Sequence, residues 1–251
     1  MVEIHLNVKA GQMTRPDRDN PALQDANTVI LCCNTLEDEI RQVLNDTGLD
    51  YPIVWLEAGM HNQPDQLRVH INKTLKEINS RRVLMALGHC GGACVGLETG
   101  NYQLIIPRSD DCLSLLLGSM EKRKLAGRDA ATYFLTAGWL RYTDNLISSF
   151  ARDAERFGRE KAERVYKIML KHYRRFGFID TGAYDLEQQE RQIGPLADTL
   201  NIGLERLDGD LSWLRRLLTG PWSEADFLIV PPNSRLNLTD WDWLGTASTQ
   251  F

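Results

Sequence analysis

Five cysteines and five histidines stand in this chain of 251 residues, and their placement is the first chemical signal. Cys32-Cys33-Asn34-Thr35 closes the apolar run that starts at Val29, and Glu57-Ala58-Gly59-Met60-His61-Asn62 follows the run Ile53–Leu56. Gly88-His89-Cys90-Gly91-Gly92, with Cys94 just beyond, follows Val83–Leu87. Pro107-Arg108-Ser109-Asp110-Asp111-Cys112 follows Leu104–Ile106. Every cysteine lies at or a few residues past such a run, and the helical and linker stretches hold none. Thiolates and imidazoles gathered in this way suit a soft or borderline metal such as zinc, which takes three protein ligands and one open position in catalytic sites. Cys33, Cys90 and Cys112 are therefore the candidate metal ligands, with His61 as the fourth ligand or as a base. An iron–sulfur cluster with one open iron suits the same three thiolates. Cys32, inside its run, reads as a small core hydrophobe. Cys94, one turn further on, is open between the two roles.

Around these donors, Asp111 is placed to orient a ligand or a proton. Arg108 follows an apolar run and has the planar fork that grips a carboxylate. Several sharper motifs are absent. Leu97 stands where a CxxxCxxC cluster needs its third cysteine, and there is no CxxC pair. Gly91 to Gly96 has phosphate-loop spacing, but Leu97-Glu98 replaces the Lys and Ser/Thr that grip phosphate and magnesium, and GxGxxG is missing.

The elements that must carry these residues follow from periodicity. Val2, Ile4, Leu6 and Val8 alternate with polar residues and predict a half-buried strand, and residues 11–27 read as a linker. Four continuous apolar runs then alternate with helical spacings such as Leu36, Ile40, Val43 and Leu44, and Asp226–Pro231 supplies a fifth run. Short continuous runs between amphipathic helices predict a parallel sheet covered on both faces. The spacing predicts helix throughout 143–218, with almost no strand. The expected architecture is one α/β domain over 1–251: a doubly wound, Rossmann-like parallel sheet, a helical insertion at 143–218, and a last strand with a docked tail at 219–251. In such sheets ligands bind outside the carboxyl ends of the strands, where the cysteines fall.

Composition sets the outer bounds. The net charge is −5, with 29 basic and 34 acidic residues, so nothing calls for nucleic acid. No apolar stretch reaches the ~18 residues of a membrane span, and the N-terminal residues lack signal-peptide character. A cytoplasmic protein without a membrane or nucleic-acid partner is expected, and its odd cysteine count makes a poor disulfide framework. Residues 152–175 are rich in Lys and Arg and read as a solvated helix face, with partner docking as the alternative.

Several segments resemble an uncharacterised bacterial and archaeal family, the domain of unknown function numbered sixteen thirty-eight. They are Cys33 with Leu36 and Glu39-Ile40, Gly59-Met60-His61-Asn62-Gln63-Pro64, Gly88-His89-Cys90-Gly91, Ile106–Cys112 with Leu117-Gly118-Ser119, and Thr132–Trp139, together spanning roughly residues 28–140. The family usually has His-Asp-Cys where this chain has Asp110-Asp111-Cys112, which removes one candidate ligand. The resemblance implies a methyl or one-carbon context beside corrinoid-dependent methyltransferases, so a corrinoid protein or methyltransferase is the implied partner. It also marks Tyr133 as a residue that covers the substrate pocket. A fainter likeness links Cys33-Asn34-Thr35 to aspartate/glutamate racemases. Three readings result: a metal-thiolate enzyme or accessory acting on a small molecule in one-carbon transfer, a cofactor-independent racemase or isomerase using Cys33 and Cys90, and a non-catalytic module that binds a metal or cofactor.

Overall fold

A computed structural model describes residues 3–5, 8–9, 12–13, 26–142 and 144–242. Its strands are β1 (Glu3–His5), β2 (Val8–Lys9), β3 (Gln12–Met13), β4 (Ala26–Cys33), β5 (Ile53–Leu56), β6 (Ser80–Ala86), β7 (Gln103–Pro107), β8 (Thr132–Leu135), β9 (Arg175–Asp180), β10 (Gly203–Asp208) and β11 (Phe227–Val230). The helices are α1 (Glu37–Thr47), α2 (Pro64–Glu77), α3 (Cys112–Leu116), α4 (Met120–Asp129), α5 (Ala137–Arg141), α6 (Leu146–Phe157), α7 (Arg159–Met169), α8 (Leu186–Leu200) and α9 (Ser212–Thr219). Six strands make the main sheet in the order β1-β5-β4-β6-β7-β11.

Continuous apolar runs appear here because both faces of the sheet are covered. Val29 and Leu31 of β4 point to a cluster containing Leu67, Ile71 and Leu75 of α2. Ile30 and Cys32 point to the opposite cluster, with Leu36, Ile40 and Val43 at and within α1. A fully buried aliphatic side chain of this kind stabilises by about 1.5–3 kcal/mol. Gly48, at φ 68°, ends α1 in the left-handed conformation that glycine adopts without a Cβ penalty, and Pro64 opens α2, where no backbone donor is needed. Because α1 and α2 lie on opposite faces, β5 and β6 flank β4 on opposite sides. The strand order therefore reverses between β4 and β6, and a crevice opens at their carboxyl ends.

All five expected apolar runs lie in this sheet, and the expected α/β architecture holds. Two details are corrected. β11 runs antiparallel to β7, pairing Phe227 with Pro107, whereas the other neighbours are parallel. The segment 143–218 is not purely helical: β9 and β10 join β8 in a second, three-stranded parallel sheet, ordered β10-β9-β8. Leu204 and Leu207 are three residues apart, and most of β10 is exposed, so this edge strand carries helical spacing without apolar alternation. β9 hides differently. Tyr173 and Phe176 continue the helical stripe of Val165 and Met169, yet the helix ends at Met169 and Phe176 and Phe178 enter a third apolar cluster. Of the expected N-terminal strand, residues 3–5 pair with β5, while Val2 and Leu6 lie outside the described residues. So do residues 14–25 of the expected linker and Trp243 of the tail; Trp241 is docked against the main core.

The two sheets meet across the first turn of α1. Arg141 at the end of α5 pairs with Asp38 at 2.5 Å and with Glu37 at 3.5 Å, and the Tyr142 hydroxyl donates to Glu37 at 2.6 Å. Glu39 is fully buried; Thr181 donates to its Oε1 at 3.2 Å and its Oε2 has no partner. Burial, with a smaller push from Asp38, raises its carboxyl from 4.5 to about 7, against the hydrogen bond from Thr181 and the charge of Arg141. Below pH 4.5 this carboxyl is protonated in both folded and unfolded chains and costs nothing. As pH rises toward 7 the unfolded chain ionises first, so stability falls, and the loss is complete above pH 7. Glu39→Gln is expected to raise unfolding free energy at pH 8 by on the order of 2–3 kcal/mol and to change it little at pH 4. Urea titrations at the two pH values check this, and equal effects at both would contradict it.

Candidate functional site

The crevice at the strand-order reversal holds a cavity of about 600 Å³. Three of its walls are strand ends. Cys33 is the last residue of β4, Cys90 follows β6, and Cys112 opens α3 after β7; all three line the cavity, as do His61, Asp111 and Trp139. β4, β6 and β7 are adjacent, so residues 79 apart in the chain face one space.

Backbone geometry brings Cys90 against Cys112. Cys90 adopts φ 49° and is followed by Gly91 at 65° and Gly92 at 94°, which turns the chain tightly back at the sheet edge. A left-handed non-glycine residue costs of order 1 kcal/mol and is concentrated at functional sites. Gly88 has no Cβ because one would lie 2.6 Å from the Asp111 backbone. That close approach lets His89 and Cys90 donate their N–H groups to Ser109 and Asp110 at 2.7 and 3.0 Å. Asp111 then caps α3 by accepting from the Ser114 N–H at 2.9 Å, and its other oxygen accepts from Arg123 Nε at 3.2 Å. The Arg123 guanidinium rests 4.0 Å from the centre of the Phe134 ring.

The electrostatics report the same convergence. Burial pushes the Cys112 thiol well above its ordinary value, and the charges of Asp111, Cys90 and Cys33 push it further. Burial raises Cys90 too, followed by Cys94, Cys33 and Asp111. Cys33 is raised by burial, with Thr35 hydrogen bonds opposing. Burial also raises the Asp111 carboxyl, with the Arg123 charge against it. His61 sits at the cavity rim with its ring edge-on to Trp139 at 4.9 Å, and partial burial pulls its imidazolium below the ordinary value. It is therefore mostly neutral at pH 7, with a nitrogen lone pair available. Among the described residues, no group of three or more His, Cys, Asp or Glu side chains is already arranged to hold a metal ion.

Of the residues singled out in the sequence, Cys33, Cys90, Cys112, His61 and Asp111 come together in this cavity. Arg108 and Tyr133 do not line it. The N–H of Arg108 donates to the Asp226 carbonyl and its Nε to the Glu224 carbonyl at 2.7 Å, because the antiparallel pairing of β11 draws the end of β7 that way. Tyr133 points to the small sheet's own core, edge-on to Tyr173 and Phe176. Cys32 and Cys94 are core residues; the Cys94 thiol donates to the Gly88 carbonyl at 3.2 Å and is pushed up to about 12 by burial. Arg123 and Trp139 were not singled out as site residues. Trp139 closes the Thr132–Trp139 segment that the resemblance marks, so a signal existed. Arg123 sits on a solvated helix with no motif around it.

Trp139 reaches the cavity through a close helix contact. A Cβ on Gly138 would lie 1.9 Å from the Thr35 carbonyl oxygen, so only glycine lets α5 lie directly on the turn after Cys33. The Thr136 hydroxyl caps α5 by accepting from the Trp139 N–H at 3.1 Å.

The profile of the family described as Protein of unknown function (DUF1638) matches residues 55–218. That span takes in His61, Cys90, Cys112 and Trp139, extends beyond the segments that carry the resemblance in the sequence, and leaves Cys33 outside. No curated protein and no solved structure matches the chain.

Gly138→Ala should cost about 1–3 kcal/mol of unfolding free energy through overpacking and speed alkylation of Cys33, as α5 is lifted off the turn beside it. Urea unfolding and timed thiol labelling read the two effects; an unperturbed variant would contradict the contact.

Proposed function

The chain belongs to the DUF1638 family of proteins of unknown function, and on that footing we propose that its cavity is a metal-thiolate centre in which Cys33, Cys90 and Cys112 hold a soft divalent cation, zinc by preference. The observation that carries this reading is the crowding of three thiols, from three adjacent strand ends, around one cavity where each is raised by burial and two by their neighbours. Thiols in such a place are neutral unless a cation compensates, and a coordinating metal deprotonates a thiol outright. The donor set fits zinc by its chemistry, and a ligand shell around it would have to close on binding. His61 at the rim is the fourth ligand or the base.

A bound cation of this kind supplies Lewis acidity and lowers the pKa of a thiol or water beside it. The chain's own residues do the rest. His61 accepts a proton at its free ring nitrogen. Asp111, steadied by Arg123, holds the loop that presents Cys112. Trp139, Leu56, Met60 and Leu87 exclude water and leave space for a small organic substrate. We assign the reaction class to transfer of a methyl or other one-carbon group, with a corrinoid protein or methyltransferase as partner. The family resemblance supports that assignment, and soft donors beneath apolar walls suit it. A racemase using Cys33 and Cys90 is favoured by one observation, the hydrogen bonds of Thr35 that stabilise a Cys33 thiolate. It leaves Cys112 without a role.

Metal analysis of protein purified without oxygen is expected to give about one zinc per chain, as one three-thiolate site requires. Cys90→Ser and Cys112→Ser should each weaken binding by at least ~10-fold, since each removes a ligand. Affinity should rise with pH, because three raised thiols must lose protons to bind. Visible absorption from iron and sulfide would replace zinc by a cluster. Metal-free protein that racemises an amino acid and fails to take up added zinc would sink the proposal.

A further inference from the structure

Among the described residues eight large apolar side chains are exposed, and five of them, Phe157, Val165, Ile168, Met169 and Tyr173, fall within seventeen residues of chain. α7 buries Ala162 and Tyr166, and Leu170 just after it joins Tyr166 in the core of the small sheet, so the helix's inward face is already used. Val165, Ile168 and Met169 form a second stripe at three- and four-residue spacing, exposed by 50%, 67% and 54%. A solvated helix face has no reason to carry such a stripe, and contiguous exposed apolar surface marks an interaction site.

The charge around it is one-sided. Residues 152–175 hold nine Lys or Arg against four Asp or Glu, in a chain whose total is −5. Three of the nine cations are paired, Arg152 with Asp144 at 2.8 Å, Arg159 with Glu163 at 2.9 Å and Arg175 with Glu205 at 2.5 Å, and Asp153 accepts from the Tyr166 hydroxyl at 2.9 Å, which leaves six cations against Glu155 and Glu160. Lys161, Val165 and Ile168 fall in one line down the helix, with Arg164 beside it. Arg156 and Lys161 both stand over the Phe157 ring, at 5.0 and 5.2 Å.

We propose that the α6–α7 hairpin docks a partner protein through an acidic helix or groove, whose carboxylates meet Lys161 and Arg164 around an apolar contact on Val165, Ile168 and Met169. The pattern selects among occupants. A second copy laid symmetrically on this face would set its surplus positive charge against itself. A bilayer favours an apolar face without a cation in its midst, whereas here Lys161 falls in line with Val165 and Ile168. An acidic partner neutralises the cations at the rim and covers the apolar centre, the usual division between specificity and affinity at interfaces.

The test places a photo-crosslinking phenylalanine analogue at Ile168 of the full chain in its native cells, with Arg191 on the exposed side of α8 as the control position. The captured protein is identified by mass spectrometry, purified and titrated against the wild-type chain. The expected result is one adduct at 168 and none at 191, mapping to a segment rich in Asp and Glu. Affinity should fall with added salt and drop at least ~10-fold for Ile168→Asp and for Lys161→Glu, while both variants keep the wild-type melting temperature. Charge reversal of the partner's carboxylate should restore binding to Lys161→Glu. A self-adduct with a dimer in light scattering, binding to phosphatidylglycerol vesicles that Ile168→Asp abolishes, an adduct on a basic segment, or no position-specific adduct would each overturn the proposal.

Discussion

The helices that follow β4 and β5 pack on opposite faces of the main sheet, and the crevice this divergence opens between β4 and β6 is the constraint on which the rest of the site depends. No connection crosses the sheet edge there, so the loops after β4, β6 and β7 are left to fill it. Each brings a cysteine. Had α1 and α2 packed on one face, β5 and β6 could not flank β4 on opposite sides, and Cys33 and Cys90 would be separated by an intervening strand. Topology thus does what no local signal can, placing three chemically alike groups from distant parts of the chain around one space.

Concentrating them carries an electrostatic cost that shapes the site. A thiolate is poorly solvated in a half-apolar cavity, and each neighbouring negative group makes it worse; Asp110, Asp111 and Glu57 all line the same walls. Only Arg123 brings positive charge among the lining residues, and it is engaged by Asp111. Without a compensating cation the stable state is three neutral thiols. Burial holds all three protonated, and for Cys90 and Cys112 the acidic neighbour Asp111 adds to it.

The small sheet is more than an insertion carried on the side. It is reached from β7 through α3 and α4, the helices that bear Cys112 and Arg123, and α5 leaves its first strand to lie on the Cys33 turn. Arg141, Tyr142 and Thr181 then engage the carboxylates Glu37, Asp38 and Glu39 at the start of α1. A wall of the cavity is therefore supplied by a unit with its own apolar cluster, held to the main sheet by these polar contacts, by the close approach at Gly138, and by Phe134 and Ile179, which are buried in the main sheet's second cluster. The outer face of the same unit, on α7, stays apolar and basic, turned away from the core.

The main sheet was legible in the chain because a strand buried on both faces must be apolar along its whole length, and Val29–Cys32, Ile53–Leu56, Val83–Leu87 and Leu104–Ile106 announce themselves without any neighbour. That Cys33, Cys90 and Cys112 line one cavity was legible for a related reason: in such sheets the crevice opens past carboxyl ends, and those ends can be read from where apolar runs stop. β10 was not legible, since an exposed edge strand needs no apolar alternation and Leu204 and Leu207 happen to keep helical spacing. Nor was the direction of β11, because the pattern Phe227–Val230 is the same for parallel and antiparallel pairing. Arg108 and Arg123 show the limit most sharply. Both are arginines near the same loops, and only the pairing of β7 with β11 and the packing of α4 on Phe134 turn one toward backbone carbonyls and the other into the cavity. Residue type and period are properties of the chain alone, whereas the direction in which a long side chain points is set by neighbours that meet only after the fold has formed.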